Sequence, residues 1–201
     1  MDYELLQDRH VYVRDGIEVP SVSELTRFLT REVYKDPDPI AMERAAARGT
    51  EVHRITEALD KCGTCAVEEE FLPFIQAYVD FLHEHEVKWD CIEWPVGKDY
   101  LYAGTIDRYG TVDGVRVILD IKTTASIGRL HKVLYTAAQN LYRMAIEDNF
   151  SVEKLYILQL KKDGTYKLIK LDIDNTLAEA CIALHEATKK KRRKKNGRHE
   201  A

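Results

Sequence analysis

The chain has none of the apolar runs that membrane insertion or secretion requires. No stretch of its 201 residues approaches the roughly 20 apolar residues of a bilayer span. The N-terminus is acidic and has no apolar segment, which is unlike a secretory signal, and mitochondrial presequences are rich in arginine and poor in acids. We therefore expect no membrane partner and a cytoplasmic location.

Cysteines are few, and their spacing does not define a complete disulfide or metal framework. Without a secretory signal, we expect no disulfides among Cys62, Cys65, Cys91 and Cys181. Cys62 and Cys65 have the spacing of half a zinc or iron–sulfur site, but no second close pair follows. We predict reduced thiols, and ordinary burial is favoured over metal binding.

The sequence also lacks an internal repeat and an interdomain linker, and a 45% hydrophobic composition supports one sizeable core. We predict a single domain over residues 1–188. Residues 189–201 contain eight Lys or Arg and one Glu, which leaves 22 basic and 33 acidic residues in the preceding body. An acidic body is not typical of a protein that simply coats nucleic acid. We predict that the basic tail is disordered; it is either only solvated or adds sequence-independent, salt-sensitive affinity for DNA.

The hydrophobic pattern predicts an α/β (α+β) fold with a mostly antiparallel run of strands. Residues 11–19 read as a hairpin, and Ser21 with Glu24 has the spacing of a capping box at the start of a helix. Asp36 to Pro39 interrupts the helical pattern. Further helices are predicted over 40–59, 69–86 and 128–147 and from 175, and strands over 90–96, 100–109, 115–121, 154–161 and 166–171.

Three charged residues lie on two of these strands, which Asp113-Gly114 joins as a predicted hairpin turn. Side chains alternate along a strand, so Asp120 and Lys122 project from the same face. With Asp107 from the partner strand, they could form a site for a hard divalent cation beside a fixed ammonium group. The alternative is a solvated strand face, on which Asp and Lys often alternate.

Other polar residues could join this site or could simply face solvent. His53 is a candidate imidazole ligand, and Gly49, inside the same helix, could allow close approach of another backbone. Gln139, Tyr142 and Arg143 share one face of a later helix. Arginines at i, i+4 spacing on the N-terminal helices could follow a DNA backbone, although solvated arginines at this spacing are common: Arg27 with Arg31, and Arg44 with Arg48.

Four short motifs in this order resemble the RecB-like branch of the PD-(D/E)XK nuclease superfamily. They are Gly49-Thr50-x-x-His53, Gly104-Thr105-Ile106-Asp107, Asp120-Ile121-Lys122-Thr123 and Gln139-x-x-Tyr142. The likeness covers about residues 20–171. It implies a restriction-endonuclease-like core, with a central mixed sheet flanked by helices and an N-terminal helical elaboration.

The resemblance also implies a role for each matched residue. His53, Asp107 and Asp120 would bind Mg²⁺ or Mn²⁺ together with the Ile121 carbonyl, and Lys122 would orient or help deprotonate the attacking water. Asp107, Asp120, Lys122, Gln139 and Tyr142 would form the catalytic set, and the residues expected to touch DNA are Arg48, Thr123 and Arg143. Glu93, on the strand before the hairpin, is a candidate supporting carboxylate. Ile106 stands where this superfamily often has proline.

The resemblance predicts a metal-dependent DNA nuclease, more typical of an exonuclease than of a sequence-specific endonuclease, acting in recombination, repair or phage DNA metabolism. Its expected setting is a bacterial or phage-infected cell, with DNA and either a recombination protein or further copies of the chain as partners. Related iron–sulfur enzymes have three late cysteines, whereas only Cys181 is late here, so we expect no cluster. The alternatives are a catalytically idle module that binds DNA or protein, and a zinc-stabilised module built on Cys62 and Cys65.

Overall fold

The computed structural model describes residues 3–6, 9, 11–35 and 38–196, with side chains described as far as residue 189. The strands are β1 Glu4–Leu6, β2 Val11–Arg14, β3 Ile17–Val19, β4 Val87–Lys98, β5 Tyr102–Val112, β6 Val115–Lys122, β7 Lys154–Leu160 and β8 Tyr166–Leu171. The helices are α1 Val22–Leu25, α2 Arg27–Val33, α3 Pro39–Cys62, α4 Leu72–Glu84, α5 Arg129–Ile146 and α6 Asn175–Asn196.

A five-stranded mixed sheet in the order β4-β5-β6-β7-β8 forms the centre of the molecule. All neighbours are antiparallel except β6 and β7, which run parallel because α5 carries the chain back between them. The predicted mixed sheet with flanking helices is therefore confirmed at the level of an α+β class. No helix in the described ranges is both long and apolar enough to cross a membrane.

Residues near each other in the sequence explain where several helices begin and where one hairpin turns. Ser21 and Glu24 form the predicted capping box, in which each side chain bonds the other residue's backbone N–H. Asp113 and Gly114 both have positive φ, 51° and 75°, as the tight β5–β6 hairpin turn requires. The predicted helix over 69–86 instead begins as a 3₁₀ turn over Glu69–Phe71, and Pro73 then starts α4.

The core lies on both faces of the sheet, and β6 is buried on both sides. Val117, Leu119 and Ile121 pack with α3 and α4, whereas Ile118 packs with α5. The alternation places Asp120 on the α5 face, at the point where β6 leaves the core.

Two helix ends fall in regions that the sequence singled out. The backbone of α6 is helical to Asn196, and residues 197–201 of the basic tail lie outside the described part. The predicted break at Asp36 to Pro39 is described only from Asp38, which caps α3 by accepting the Ile40 N–H.

The four cysteines are free thiols in the structure. Cys181 is buried between α6 and α5, Cys65 and Cys91 are partly buried, and Cys62 is exposed rather than buried.

Candidate metal centre

The centre begins where β5 and β6 separate. Their backbone pairing ends at Arg108 and Leu119, one residue before Asp107 and Asp120. Beyond this point the Ile121 N–H has no carbonyl of β5 to pair with, and it donates instead to the Asp107 side chain, Oδ2, at 2.7 Å. Asp107 is only 9% exposed, so this bond both satisfies a buried donor and fixes the carboxylate.

His53 reaches this gap from α3, and both of its ring nitrogens face acceptors. Nε2 lies 3.0 Å from the Ile121 carbonyl oxygen, and Nδ1 lies 3.3 Å from Glu93 Oε1 and 3.7 Å from Asp107 Oδ2. Burial lowers the pKa of His53, but the charges of Asp107 and Glu93 outweigh it and raise the pKa to about 9. The imidazolium therefore bonds the same oxygens that could bind a cation.

Glu93 completes the group through an unusual backbone conformation. It lies inside β4 with φ of 47°, in the left-handed region that non-glycine residues rarely adopt. Such strain costs on the order of 1–3 kcal/mol and tends to occur where a side chain is needed in a particular place. Here it accompanies a carboxylate directed at His53 and Arg108.

One candidate ligand atom each from His53, Glu93 and Asp107 lies within 4.8 Å of the others. An imidazole nitrogen with two carboxylates suits a divalent cation such as Mg²⁺, Mn²⁺ or Zn²⁺. The chemistry of this donor set therefore fits the implied Mg²⁺ or Mn²⁺. Sequence reasoning gave Glu93 only a supporting place, whereas the geometry makes it an equal member of the group.

Asp120, which the sequence also predicted as a ligand, pairs with Lys122 and is not one of the three residues whose candidate ligand atoms lie together. Its Oδ2 lies 2.6 Å from the Lys122 ammonium, a close ion pair that is not aligned as a hydrogen bond. Burial is the main reason that the pKa of Asp120 rises to about 6, with Asp107 adding to it and Lys122 opposing it. Burial lowers the pKa of Lys122, but the nearby carboxylates of Asp120 and Asp107 raise it by more. The pKa therefore lies above its ordinary value, and Lys122 stays charged.

Arg108 holds the Glu93 side chain and the Asp107 backbone in place by hydrogen bonds, and the sequence analysis did not identify it. Its guanidinium is fully buried and donates to Asp60 at 2.7 Å, to Glu93 at 3.2 Å, to the Asp107 carbonyl at 2.7 Å and to Thr56 at 3.1 Å. These bonds join α3, β4 and β5. The only sequence signal is a charged residue next to Asp107 in an otherwise apolar strand.

Gln139 and Tyr142 lie beside Asp120 and Lys122 in the wall of a cavity of about 280 Å³. Gln139 is 1% exposed, and its Oε1 has no hydrogen-bond partner within the described residues. Burial raises the pKa of Tyr142, which therefore remains a neutral hydroxyl. The Gln139 amide oxygen is therefore free to accept a hydrogen bond from a ligand next to Lys122.

Of the three residues predicted to touch DNA, Arg48 and Thr123 lie together, whereas Arg143 lies elsewhere. Arg48 Nη2 approaches the Thr123 carbonyl at 3.5 Å, which places both at the end of β6. Arg143 instead bonds Glu147 and Asn175, and it does not line the cavity with Gln139.

Among the described residues no other backbone approaches Gly49 closely, contrary to the expectation from sequence. A Cβ atom at this position would meet nothing within 4 Å.

Comparison of the chain with models of known protein families finds no match, and comparison with curated proteins finds none either.

Proposed function

We propose that this protein is a Mg²⁺- or Mn²⁺-dependent DNA nuclease of the RecB-like PD-(D/E)XK type, acting as an exonuclease in the cytoplasm. The observation that carries the proposal is the meeting of His53, Glu93 and Asp107 at the gap between β5 and β6, with the Asp120–Lys122 pair on the adjoining residues. The order of three antiparallel strands, a helix and a parallel strand supports the restriction-endonuclease-like core.

In this proposal His53, Glu93 and Asp107 would hold the cation, and Asp120 and the Ile121 carbonyl would be further candidate ligands. When bound, the cation supplies a Lewis acid that polarises a phosphate oxygen and lowers the pKa of water. The protein contributes a rigid frame, since Arg108 fixes the Glu93 carboxylate and the Asp107 backbone.

Lys122 has the clearest role among the chain's own groups. Its raised pKa makes it an ammonium at neutral pH, so it acts by charge and hydrogen bonding rather than by taking a proton. Placed beside the site, it stabilises the negative charge that develops on the phosphate and holds the attacking water. Asp120 keeps the ammonium in place.

Gln139 and Tyr142 would position the substrate next to Lys122. Both side chains line the cavity that Asp120 and Lys122 also line, and the buried Gln139 Oε1 has no hydrogen-bond partner within the described residues. Leaving a buried amide oxygen without a donor is costly, so we infer that bound DNA or an ordered water provides one.

The test uses end-labelled linear DNA and closed circular DNA, single- and double-stranded, with Mg²⁺, Mn²⁺ or EDTA. We expect loss of linear DNA only, and only with a metal. Asp107→Asn and Asp120→Asn should each abolish cleavage, whereas Lys88→Gln, an exposed site at the opposite end of β4, should not. Cleavage of circles would contradict the exonuclease, and no cleavage under any metal would favour the catalytically idle module.

A further inference from the structure

A second and larger cavity, of about 950 Å³, lies between α2, the β2–β3 hairpin and residues 184–189 of α6. We call it the α2/α6 groove, and the residues that matter here are Arg27, Phe28, Arg31, His185 and Lys189. Arg27 also lines the cavity beside Lys122. The groove and the proposed catalytic site therefore adjoin across this one arginine.

The groove has an excess of positive charge. Arg31 and Lys189 form no ion pair within the described ranges. The two acids in the lining are already engaged: Glu18 binds Arg9 at 3.1 Å, and Glu24 accepts the Ser21 N–H at 3.0 Å and pairs with Arg27 at 3.4 Å. Because the body of the chain is strongly acidic, a local surplus of cations here is a feature to explain.

The backbone of α6 continues as helix beyond the groove. After Lys189 the helix continues to Asn196, and residues 190–195 are all Lys or Arg in the sequence. A continuous basic helix leading out of a groove can follow a run of phosphates.

The groove also offers an aromatic surface. Phe28 is 37% exposed, one position after Arg27 and three before Arg31. Proteins that bind single strands combine a basic groove with aromatic side chains on which unpaired bases stack, whereas the bases of a duplex are already stacked on each other.

We propose that the α2/α6 groove binds single-stranded DNA and leads it over Arg27 to the site at Lys122. This inference rests on the proposed nuclease function, because it names the form of DNA that the site receives.

The test measures binding of a fluorescent oligothymidylate to the full chain in EDTA, where cleavage cannot interfere, over a range of salt concentrations. The double variant Arg31→Gln, Lys189→Gln should bind roughly tenfold more weakly at low salt, and its salt dependence should lose about 1.4 in log–log slope, since each phosphate contact to a single strand contributes about 0.7. Phe28→Ala should weaken binding by about tenfold with an unchanged slope, because stacking is not ionic. Lys88→Gln is the matched control and should bind like the wild type.

Each outcome is decisive for the groove. Wild-type affinity and slope in the double variant would overturn the inference, as would equal weakening by Lys88→Gln or a wild-type preference for duplex over single strand. If the wild type cleaves DNA but the double variant binds the oligonucleotide normally, the inference about the groove fails and the nuclease proposal is unaffected. If the oligonucleotide binds as expected but no metal supports cleavage, the nuclease proposal fails and the groove remains as a DNA-binding surface.

Discussion

The Asp107 carboxylate bonds the Ile121 backbone N–H at 2.7 Å, across the point where β5 and β6 cease to pair. One side chain thus closes the sheet at its open end and presents an anionic oxygen to His53. Asp107 therefore has both a structural role and a place in the proposed metal site.

We predict that Asp107→Ala lowers the free energy of unfolding by about 1–3 kcal/mol in EDTA, because it leaves the buried Ile121 N–H without an acceptor. Asp120→Asn should cost less, since it gives up the Lys122 ion pair but leaves no buried backbone donor unpaired, and burial already disfavours the Asp120 carboxylate. Urea denaturation of both variants measures the difference. Equal losses would show that the Asp107 bond does not hold the strand.

Removal of Arg108 should be the most destabilising change near the site. Arg108→Met leaves the buried carboxylate of Asp60 without its cation, and breaking a buried pair in this way costs about 3–5 kcal/mol. The control is Arg116→Gln, whose pair with Asp90 is partly exposed and screened by solvent, so that its loss should be much less destabilising than Arg108→Met.

The double variant Asp60→Asn, Arg108→Met should recover part of the Arg108→Met loss, because no unpaired charge then remains in the core. A double variant less stable than Arg108→Met alone would contradict this explanation.

Metal binding should release a proton. The pKa of His53 is about 9 in the metal-free protein, so at pH 7.5 the imidazolium must lose its proton before the ring can bind a cation. Calorimetry with Mn²⁺ in buffers of different ionisation enthalpy should show release of about one proton, and Mn²⁺ affinity should rise from pH 6.5 towards pH 9. His53→Gln should abolish the release, and the same release in that variant would exclude His53 as its source.

The same pKa shift sets the stability of the metal-free protein. Because the pKa of His53 in the folded state lies above its unfolded value of about 6.5, the stabilising contribution is complete below pH 6.5 and is lost as the pH rises through 9. Thermal melts in EDTA should therefore show a decline over this interval that His53→Gln lacks.

Gly49→Ala should stabilise the protein by about 0.5–1 kcal/mol, since Gly49 lies inside α3 and an added Cβ meets nothing within 4 Å. Gly110→Ala is the contrast, because its Cβ would lie 2.1 Å from the Lys88 carbonyl oxygen and must displace backbone. Thermal denaturation should move in opposite directions for the two variants. A destabilised Gly49→Ala would mean that α3 needs glycine for a reason other than packing.

The sequence predicted the elements well because local chemistry determines them. The hairpin turn at Asp113-Gly114, the capping box at Ser21 and the shared face of Asp120 and Lys122 depend on residues close together in the chain. The membership of Glu93 could not be predicted in the same way, since it depends on a left-handed backbone inside a strand and on a histidine 40 residues away.

Arg108 shows the same limit more plainly. Strand alternation predicts the face of the sheet on which Arg108 lies, but not the residues that it binds. Its burial depends on Asp60 and Thr56 of α3, which accept its hydrogen bonds. The paired state of Arg143 likewise depends on Asn175 at the start of α6. Long-range ion pairs of this kind leave no periodic trace in the sequence.

The most direct test of the central proposal compares wild-type protein with Lys122→Gln at saturating Mn²⁺, on linear DNA labelled at one end. Mn²⁺ binding is measured on the same samples by electron paramagnetic resonance. We expect the wild type to release labelled nucleotides and Lys122→Gln to be slower by roughly 100-fold or more, the range for removal of one group that stabilises developing charge, with Mn²⁺ still bound. Cleavage by Lys122→Gln at the wild-type rate, or no cleavage by a wild-type protein that has bound Mn²⁺, would contradict the proposal.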